Sequence, residues 1–494
     1  MLKNPLAAQT ACDAVALNFA RTFRGQFVLS RAPDLHLPKW RVTEMGDGWR
    51  LHHCRALPYA RIKSHDGTSA GILLGLAVDA AGTLVKDGHI LAFGETPQTF
   101  ATGAAGRYVY ITESAVFSDP TGSMGGVYDA TTQTVASTVL MCLDRPERPP
   151  EGFNRQAIVK GRGAFSLSRT ADADVMAITP NHRLDLATFT LTRFWPHADV
   201  SFHRDVPEPD EVIAAMATRL SAVIGAIAAG HPTLLPLSGG RDSRNLAAAA
   251  KPHLQNIDHM FTFVSNWQGQ IDAEVATQIA TTLGGTCAVY ASYTGDAQNR
   301  DTLSKPARLR QRRAFRLAGG FVGDANNDVL DGLAMKLPKG VVLRGNVMEI
   351  LKANHWKRGA SRDRAAGTHD VDYATARLAI EPDREPEMIA AHRNTYAAWH
   401  AALPLGAKRV AYDFAFIEHL LPGWQPKFYG YTRNFFVNPF SDRALIEGSM
   451  QLPVKARQTN AYNDALLAHL APDLSDIPFT PDIKKARRAA QSAA

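Results

Sequence analysis

Short apolar segments separated by turn residues run through the first half of the chain, and this pattern predicts β-strands. The turn residues are mainly Gly, Pro and Asp. Between AVF and VYDA, the cluster DPTGSMGG (119–126) predicts a strand–loop–strand unit. The clearest strand candidates are GQFVLS (25–30), AGILLGLAV (70–78), GRYVYIT (106–112) and TVASTVLMCL (134–143). We therefore expect a β-rich first part.

From residue 207 onward the pattern changes to strands that alternate with helices. Apolar residues recur every three or four positions over 212–229, after a start rich in Pro and acidic residues, which predicts a helix. TLLPL then predicts a strand, although Pro236 lacks a backbone donor and weakens a central-strand assignment. Further predicted elements are strands at 258–265, 286–292 and 340–345 and a helix at 271–285. This alternation predicts an α/β fold with a doubly wound parallel sheet.

The last third of the chain, from 370 to 470, carries a helical pattern throughout. Its apolar residues recur at helical spacing, and turn residues separate the segments. The predicted helices are 372–380, 387–403, 410–421 and 444–450. We therefore expect a helical C-terminal part.

Length and composition are typical of a globular chain with two or three domains. The chain has 494 residues, of which 45% are hydrophobic and 20% charged. It lacks an uninterrupted apolar run of about eighteen residues, so we predict no transmembrane helix. The N-terminus does not resemble a secretion signal. Four dispersed cysteines without metal-type spacing favour reduced thiols and a cytoplasmic location.

The formal net charge of +7 is modest but unevenly distributed. KPARLRQRRAFR (305–316) contains six basic residues and no acidic one, and KKARR (484–488) lies near the end of the sequence. Each run is interpreted either as a solvated surface or as a basic rim for polyphosphate or an acidic peptide. No nucleic-acid-reading module accompanies them, so we predict no nucleic-acid partner.

The most informative stretch is Ser238-Gly239-Gly240-Arg241-Asp242-Ser243, directly after the apolar Leu237. A strand that turns sharply into a helix leaves the first N–H groups of that helix unpaired, and with the helix dipole these form an anion site. Glycines allow close approach of an anion and positive φ. Asp242 is positioned either to hold a metal or to cap the helix. The stretch has neither the GxxxxGK[ST] nor the GxGxxG spacing.

SGGxDS after a strand resembles the pyrophosphate loop of the ATP pyrophosphatase superfamily, and a β-rich first part of this length resembles the asparagine synthetase family. Segments 106–128, 260–290, 341–351 and 437–453 are also similar to that family, although only SGGxDS is specific. The resemblance implies two domains. Residues 1–205 would be a degenerate glutaminase-like αββα sandwich, and 206–494 an ATP pyrophosphatase domain.

Two departures from the family change the expected chemistry. Glutamine-hydrolysing members begin with Met-Cys, whereas this chain begins Met1-Leu2, and leucine cannot supply a nucleophile. The acidic cluster of the GEGADEL kind is reduced to one acid, Glu349, in GNVMEIL. Members without the cysteine include β-lactam synthetases and the macrolactam cyclases of lasso peptides. Both adenylate a carboxylate and use an amine of the same substrate.

The resemblance therefore implies an ATP- and Mg²⁺-dependent ligase that forms an amide bond through an acyl-adenylate. We expect intramolecular lactam formation on a small molecule or peptide in natural-product biosynthesis, with a precursor-processing protease as a partner. One alternative is an asparagine-synthetase-like transferase that uses free ammonia or an external amine. A second alternative is an inert ATP-binding scaffold.

The same resemblance implies roles for individual residues. Asp242 and Glu349 would hold Mg²⁺, with deprotonation of the amine as the other candidate role of Glu349. Lys455 is the lysine assigned to the α-phosphate, with Lys484 and Lys485 as further candidates. Asp272 and Glu274 are expected to compensate a helix dipole, or else to contact ATP. The expected ATP-binding residues are Leu237, Ser238, Gly239, Gly240, Asp242 and Ser243.

Overall fold

A computed structural model gives the fold of this chain. It describes residues 1–4, 6–151, 158, 165–198, 200, 202, 208–294, 302–320, 326–356, 361–363, 368–378 and 386–493. All residues of the predicted ATP and magnesium sites lie inside these ranges. The predicted boundary at 205 and the end of the predicted helix 372–380 lie outside the described residues.

Two sheets form the first part of the chain. Their strands are β1 (Phe27–Ser30), β2 (Arg41–Glu44), β3 (Arg50–His53), β4 (Tyr59–Lys63), β5 (Ser69–Val78), β6 (His89–Ile90), β7 (Ala105–Ile111), β8 (Ala115–Ser118), β9 (Val127–Asp129), β10 (Thr134–Ala136), β11 (Val175–Ala177), β12 (His182–Asp185) and β13 (Leu191–Arg193). One sheet has the order β11-β9-β10-β1-β3-β2 and is antiparallel. The other has the order β13-β12-β8-β7-β5-β4-β6 and is antiparallel except for the β4–β6 pair.

The two sheets share a hydrophobic core. Leu29 and Leu51 of the first sheet pack in one buried cluster with Leu74 and Val109 of the second. Short helices α1 (Ala7–Asp13), α2 (Phe19–Thr22) and α4 (Val139–Cys142) pack on the outer face of the first sheet, and α3 (Pro97–Gly103) packs on the second. The first part is therefore a layered α/β structure, as the β-rich pattern predicted.

Two details of this part differ from the predicted pattern. The predicted strand 134–143 is divided into β10 and α4, because a continuous apolar run fits either a buried strand or a buried helix. The predicted strand–loop–strand unit is confirmed, but β8 and β9 belong to different sheets. Asp119 holds the connecting loop, since its carboxylate accepts bonds from the backbone N–H groups of Ser123 (2.8 Å) and Met124 (2.7 Å).

A parallel five-stranded sheet forms the centre of the second part, as predicted. Its strands are β14 (Thr233–Pro236), β15 (His259–Val264), β16 (Cys287–Ala291), β17 (Val341–Leu343) and β18 (Phe435–Val437). The order is β16-β15-β14-β17-β18, and each pair is parallel. The chain reverses its winding direction between β14 and β17. In sheets of this type, ligands bind beyond the carboxyl ends of the strands at that reversal.

Pro236 is tolerated in the central strand because it is the last residue of β14. The following N–H, that of Leu237, still donates to Phe261 of β15 (2.8 Å). N–H groups alternate in direction along a strand, so the donor that proline lacks would face β17. Pairing with β17 already ends at Leu234. The two strands therefore separate where the candidate loop begins.

Helices surround the parallel sheet and make up most of the last third, as predicted. They are α5 (Pro209–Gly230), α6 (Arg241–Ala250), α7 (Trp267–Thr282), α8 (Lys305–Gly319), α9 (Asn327–Leu330), α10 (Val371–Leu378), α11 (Pro386–Ala402), α12 (Leu405–Lys408), α13 (Ala411–Ala415), α14 (Leu421–Trp424), α15 (Arg443–Gln451), α16 (Val454–Gln458), α17 (Ala461–Leu470), α18 (Pro472–Ser475) and α19 (Thr480–Ala493). A π-helical turn at Phe416–Leu420 connects α13 to α14, so the predicted helix 410–421 is interrupted rather than regular.

Helix α5 is long and apolar enough to cross a membrane by length and composition. Polar residues such as Arg219 and Ser221 interrupt its apolar positions. Ten of its residues are buried in the protein core, among them Leu220, Val223 and Ile224. Its apolar surface is thus used for internal packing.

The two parts of the chain are joined by buried polar contacts. Arg193 pairs with both carboxylate oxygens of Glu418 (2.6 and 2.8 Å), and Glu418 is fully buried. Arg219 of α5 donates to the Asp79 carbonyl of the first part at 2.8 Å and to Asp442 at 2.6 Å. Since a buried charge that loses its partner costs several kcal/mol, these pairs fix the relative position of the two parts.

Candidate active site

The SGGRDS loop connects β14 to α6 at the reversal point of the parallel sheet. Gly240 is the N-cap residue of α6, and no described side chain caps the helix there. Asp242 is the second residue of the helix, so the capping alternative for Asp242 is wrong.

The two serines of the loop face each other. Their hydroxyl oxygens lie 2.7 Å apart, and Ser243 Oγ also lies 3.2 Å from the Ser238 carbonyl and 3.3 Å from the Gly240 carbonyl. The Gly240 N–H donates to Ser238 Oγ at 3.3 Å. The loop is therefore a closed turn with both hydroxyls on its inner side.

Gly239 is required by close packing. A methyl group at this position would overlap the Thr480 hydroxyl and lie 3.2 Å from Asp272 Oδ1. Neither glycine of the loop has a positive φ, and that of Gly240 is −87°. Neither glycine thus uses a positive φ, and the group that approaches Gly239 closely is Thr480, so the approach of an anion stays a prediction.

We predict that Gly239→Ala displaces α19 from the loop, because the added methyl and the Thr480 hydroxyl would share one space. Limited proteolysis should then cut near 480 much faster than in the parent protein. Adding Thr480→Gly to Gly239→Ala should restore protection. Equal protection of Gly239→Ala and the parent protein would contradict this packing.

Asp272 occupies the mouth of the loop. Its Oδ1 accepts from the Gly239 N–H (3.2 Å) and from the Thr480 hydroxyl (2.6 Å). Since α7 begins at Trp267, Asp272 lies beyond the first turn, and dipole compensation at a helix start is not its role. A phosphate on the Gly239 N–H would have to replace this carboxylate.

Arg241 and Arg244 hold the C-terminal segment of the chain. Arg241 pairs with Asp464 at 2.7 Å, and the buried Arg244 donates to the carbonyls of Ile477 and Pro478. Both guanidinium groups lie 4.0 Å from the centre of the Phe479 ring. Their interactions are thus with the protein itself.

Asp242 lies against the segment that follows β17. A side chain at Gly345 would approach Asp242 Cβ to 2.9 Å, so the absence of one allows the two segments to touch. Asp242 Oδ2 accepts from Lys352 Nζ at 2.6 Å. Asp242 Oδ1 is buried without a hydrogen-bond partner among the described residues.

Glu349 lies close enough to Asp242 for the two carboxylates to interact electrostatically. Burial and the negative charge of Asp242 raise the pKa of Glu349 to about 7. Glu349 Oε2 is also buried without a partner in the described part of the chain. Two neighbouring carboxylates, each with an unpartnered oxygen, fit a divalent cation chemically.

The carboxylates alone do not complete a cation site. Within the described ranges, no group of three or more His, Cys, Asp or Glu side chains is arranged to bind a metal ion. Mg²⁺ is commonly bound by one or two carboxylates together with phosphate oxygens and water. The pair Asp242 and Glu349 therefore fits Mg²⁺ that arrives with a polyphosphate.

Lys455 does not join this cluster. Its side chain is exposed on α16, and no contact to the loop is found among the described residues. Two positions later, the fully buried Arg457 binds both oxygens of Asp413 (2.9 and 2.7 Å) and donates to the Ile350 carbonyl (3.0 Å). Helix α16 thus anchors the turn Met348–Lys352 that carries Glu349.

Lys352 was missed by the sequence analysis. It follows Glu349 by three residues, a spacing that places both side chains on one face of a helical turn. This spacing is the feature of the sequence from which Lys352 could have been predicted as a site residue. Lys352, and not Lys455, is the lysine adjacent to the carboxylates.

A cavity of about 530 Å³ opens beside the loop at the carboxyl ends of β14, β15 and β17. Its size is in the range of small-molecule sites. Apolar walls combine with polar or charged side chains, among them Ser265, Asp328 and Arg344. Further lining residues include Ser243, Leu246, Phe261, Phe263, Val342 and Phe436.

Lys427 is a second residue that the sequence analysis missed. Burial and the neighbouring Arg344 lower the pKa of Lys427 to about 8, although Asp328 and Glu349 oppose this shift. Glu349 and Lys427 thus both have a pKa close to neutrality at one edge of the sheet. Such shifts are concentrated at functional sites. Sequence spacing gave no signal for Lys427, because it lies 75 or more positions from either carboxylate.

The sequence matches no known protein-family model and no curated protein. The resemblance to the asparagine synthetase family therefore stays a prediction, and the geometry of the site carries the functional argument.

Proposed function

We propose that this protein is an ATP-dependent ligase that forms an amide bond and releases AMP and pyrophosphate. The observation that carries this proposal is the pair of unpartnered carboxylate oxygens on Asp242 and Glu349. Asp242 belongs to a loop of phosphate-binding type at the reversal point of a parallel sheet, and a cavity of nucleotide size opens beside that loop at Ser243. The carboxylates, the loop and the cavity thus occur at the same edge of the sheet.

The proposed reaction has two steps. A substrate carboxylate attacks the α-phosphorus of ATP, and the bond to the β,γ-pyrophosphate breaks, which gives an acyl-adenylate. An amine then attacks the acyl carbon, loses a proton and displaces AMP. Negative charge develops on phosphate oxygens in the first step, so positioning and charge neutralisation supply most of the catalysis.

The residues of the loop, the carboxylate pair and the cavity take different parts in this scheme. Ser238 and Ser243 direct hydroxyls toward the pyrophosphate, and the ammonium group of Lys352 adds positive charge. Asp242 and Glu349 would hold Mg²⁺, which neutralises phosphate charge when bound. The apolar walls formed by Phe261, Phe263 and Phe436 suit a purine ring.

For the finer architecture we propose a glutaminase-like sandwich in the first part and an ATP pyrophosphatase domain in the second. The two stacked sheets with outer helices support the former. The parallel sheet with the loop after its central strand supports the latter. The first part would act as a scaffold, since its Arg193 binds Glu418 of the helical region and its Asp79 carbonyl accepts from Arg219 of α5.

The substrate class we favour is a peptide or amino-acid derivative that carries both the carboxylate and the amine. The resemblance to lactam-forming ligases without glutaminase chemistry supports this choice. Free ammonia or an external amine is the second candidate.

We predict that the purified protein, given ATP, Mg²⁺ and a competent carboxylate, exchanges labelled pyrophosphate into ATP. Complete turnover should release AMP and pyrophosphate in equal amounts with the amide product. Candidate carboxylates tested with and without ammonium distinguish an internal from an external amine. Release of ADP and phosphate with product would contradict the acyl-adenylate mechanism.

A further inference from the structure

A second cleft lies at the opposite edge of the parallel sheet, where β14, β17 and β18 begin. Two adjoining cavities of about 380 and 250 Å³ form it. They share six lining residues, which are Arg24, Lys339, Tyr431, Thr432, Arg433 and Asn434. The SGGRDS loop follows the carboxyl end of β14, so the cleft opens at the other end of the strands. Of its lining residues only the buried Phe436 also lines the cavity beside the candidate active site, and strand β17 borders both through Val341 and Val342.

The cleft lies between the two parts of the chain. Its first wall comes from the residues after α2, with Arg24 and Gly25, and from Ala56 and Pro58. Its second wall comes from the segments that lead into β17 and β18. Charged side chains from distant parts of the sequence therefore meet in one groove.

Besides the buried Arg107, four exposed arginine or lysine side chains line this groove, and its lining residues include no acidic one. They are Arg21, Arg24, Lys339 and Arg433. Within the described chain, none of the four forms an ion pair, and Arg433 donates only to the Met335 carbonyl (2.8 Å). Convergence of like charges disfavours the compact empty state, and an anionic ligand would relieve this repulsion.

The floor of the cleft is aromatic and carries an unused donor. The buried rings of Tyr431 and Phe436 lie 4.4 Å apart, centre to centre. Asn434 accepts from the Gly340 N–H with its Oδ1 (3.2 Å). Its Nδ2 is buried and has no partner among the described residues. An amide donor of this kind suits a peptide carbonyl.

The shape favours an extended ligand over a compact anion. Compact phosphates are typically held by convergent backbone N–H groups at a helix N-terminus or nest. In this cleft the positive charge is carried by long side chains on three chain segments around a groove with an apolar floor. That arrangement matches carboxylates spaced along a peptide.

We propose that the cleft between the two parts of the chain binds an acidic peptide segment. Arg21, Arg24, Lys339 and Arg433 would pair with its carboxylates, and Asn434 would bind its backbone. This binding site does not depend on the proposed ligase activity. The basic helix α8 contributes Gln311 to the lining and extends the positive surface beyond the cleft.

The test measures binding of a fluorescein-labelled oligoglutamate peptide to the full chain by fluorescence anisotropy. We expect saturable binding that weakens when ionic strength rises from about 0.05 to about 0.3 M. The double variant Arg24→Glu/Arg433→Glu should weaken binding by about tenfold or more, because attraction becomes repulsion. The milder Arg24→Gln/Arg433→Gln variant should show a smaller loss and excludes misfolding as the cause.

The matched control is Lys63→Glu/Arg183→Glu, which reverses two exposed cations on the seven-stranded sheet outside the cleft. This control should bind the peptide like the parent protein. Unchanged peptide affinity of the Arg24/Arg433 variants would overturn the proposal. So would equal competition by inorganic phosphate, or tighter binding of single-stranded DNA than of the peptide. Pyrophosphate exchange by the same variants should be unchanged, so the outcome is independent of the proposed reaction.

Discussion

Replacement of Asp242 by asparagine is expected to reduce ATP–pyrophosphate exchange by about 10³-fold, which corresponds to ~4 kcal/mol of transition-state stabilisation. The amide keeps the size of the side chain but removes the charge that binds Mg²⁺. It also leaves Lys352, now 2.6 Å from the carboxylate, without its anionic partner. Exchange of labelled pyrophosphate at saturating ATP gives the measurement.

The chain offers a closely matched control for this substitution. Asp210 is the second residue of α5, as Asp242 is of α6, but Asp210 is exposed and far from the loop in sequence. Asp210→Asn removes the same favourable charge from a helix start, which is worth about 0.3–1 kcal/mol. It should leave exchange intact. Full exchange activity in a folded Asp242→Asn protein would exclude the proposed metal site.

Replacement of Glu349 by glutamine is expected to remove a pH dependence from the stability of the metal-free protein. The pKa of Glu349 is about 7 in the folded protein and near 4.5 in an unfolded chain. Between these values the folded protein binds a proton that the unfolded chain has released, so stability falls as pH rises. This decrease in the free energy of unfolding ends above pH 7 and amounts to about 3 kcal/mol.

Urea unfolding in EDTA from pH 4.5 to 8 measures this effect. The gain in unfolding free energy of Glu349→Gln over the parent protein should grow with pH and level off above about pH 7. The control is Glu274→Gln, which removes an exposed carboxylate paired with Arg487 and should give a small, pH-independent change. A constant difference between Glu349→Gln and the parent protein across this range would contradict a raised pKa.

The same substitution should abolish pyrophosphate exchange, because the function requires the ionised carboxylate. The two measurements therefore change in opposite directions. Above pH 7 the Glu349→Gln protein should be more stable than the parent protein, while its exchange activity is lost. Such a trade-off is typical of a charge kept in a buried site for function. A Glu349→Gln protein that is both more stable and fully active would assign Glu349 a structural role.

The fold class could be predicted where the hydrophobic pattern has a distinct period. Helices α5 and α7 and strands β14 to β17 follow it and were predicted within a few residues. The strand β18 was not predicted, since its three residues lie in an apolar segment without periodicity. The strand–helix division of 134–143 failed for the same reason. A short buried segment fits both the strand and the helix pattern, and only its packing neighbours determine which of the two it forms.

The candidate site was predictable only in its local part. The SGGRDS loop could be recognised in the sequence because its six residues are consecutive and form a single backbone turn. The lysines could not be assigned in this way, because Lys352 reaches Asp242 across 110 positions and Lys427 comes from a third segment. Lys455 was selected from its place in the sequence, and the fold leaves its side chain exposed.

The sequence by itself determined the order of strands and helices and the sharp turn with two serines and an acid at its end. These follow from periodicity and from the conformations that neighbouring residues allow. Only the tertiary structure decided that Glu349, Lys352 and Lys427 lie near Asp242, that Asp272 occupies the mouth of the loop, and that four unpaired cations meet in one cleft. Burial and proximity across distant segments produce the pKa shifts and the unpartnered oxygens. Neither can be calculated before the chain is folded, because desolvation depends on which surfaces meet.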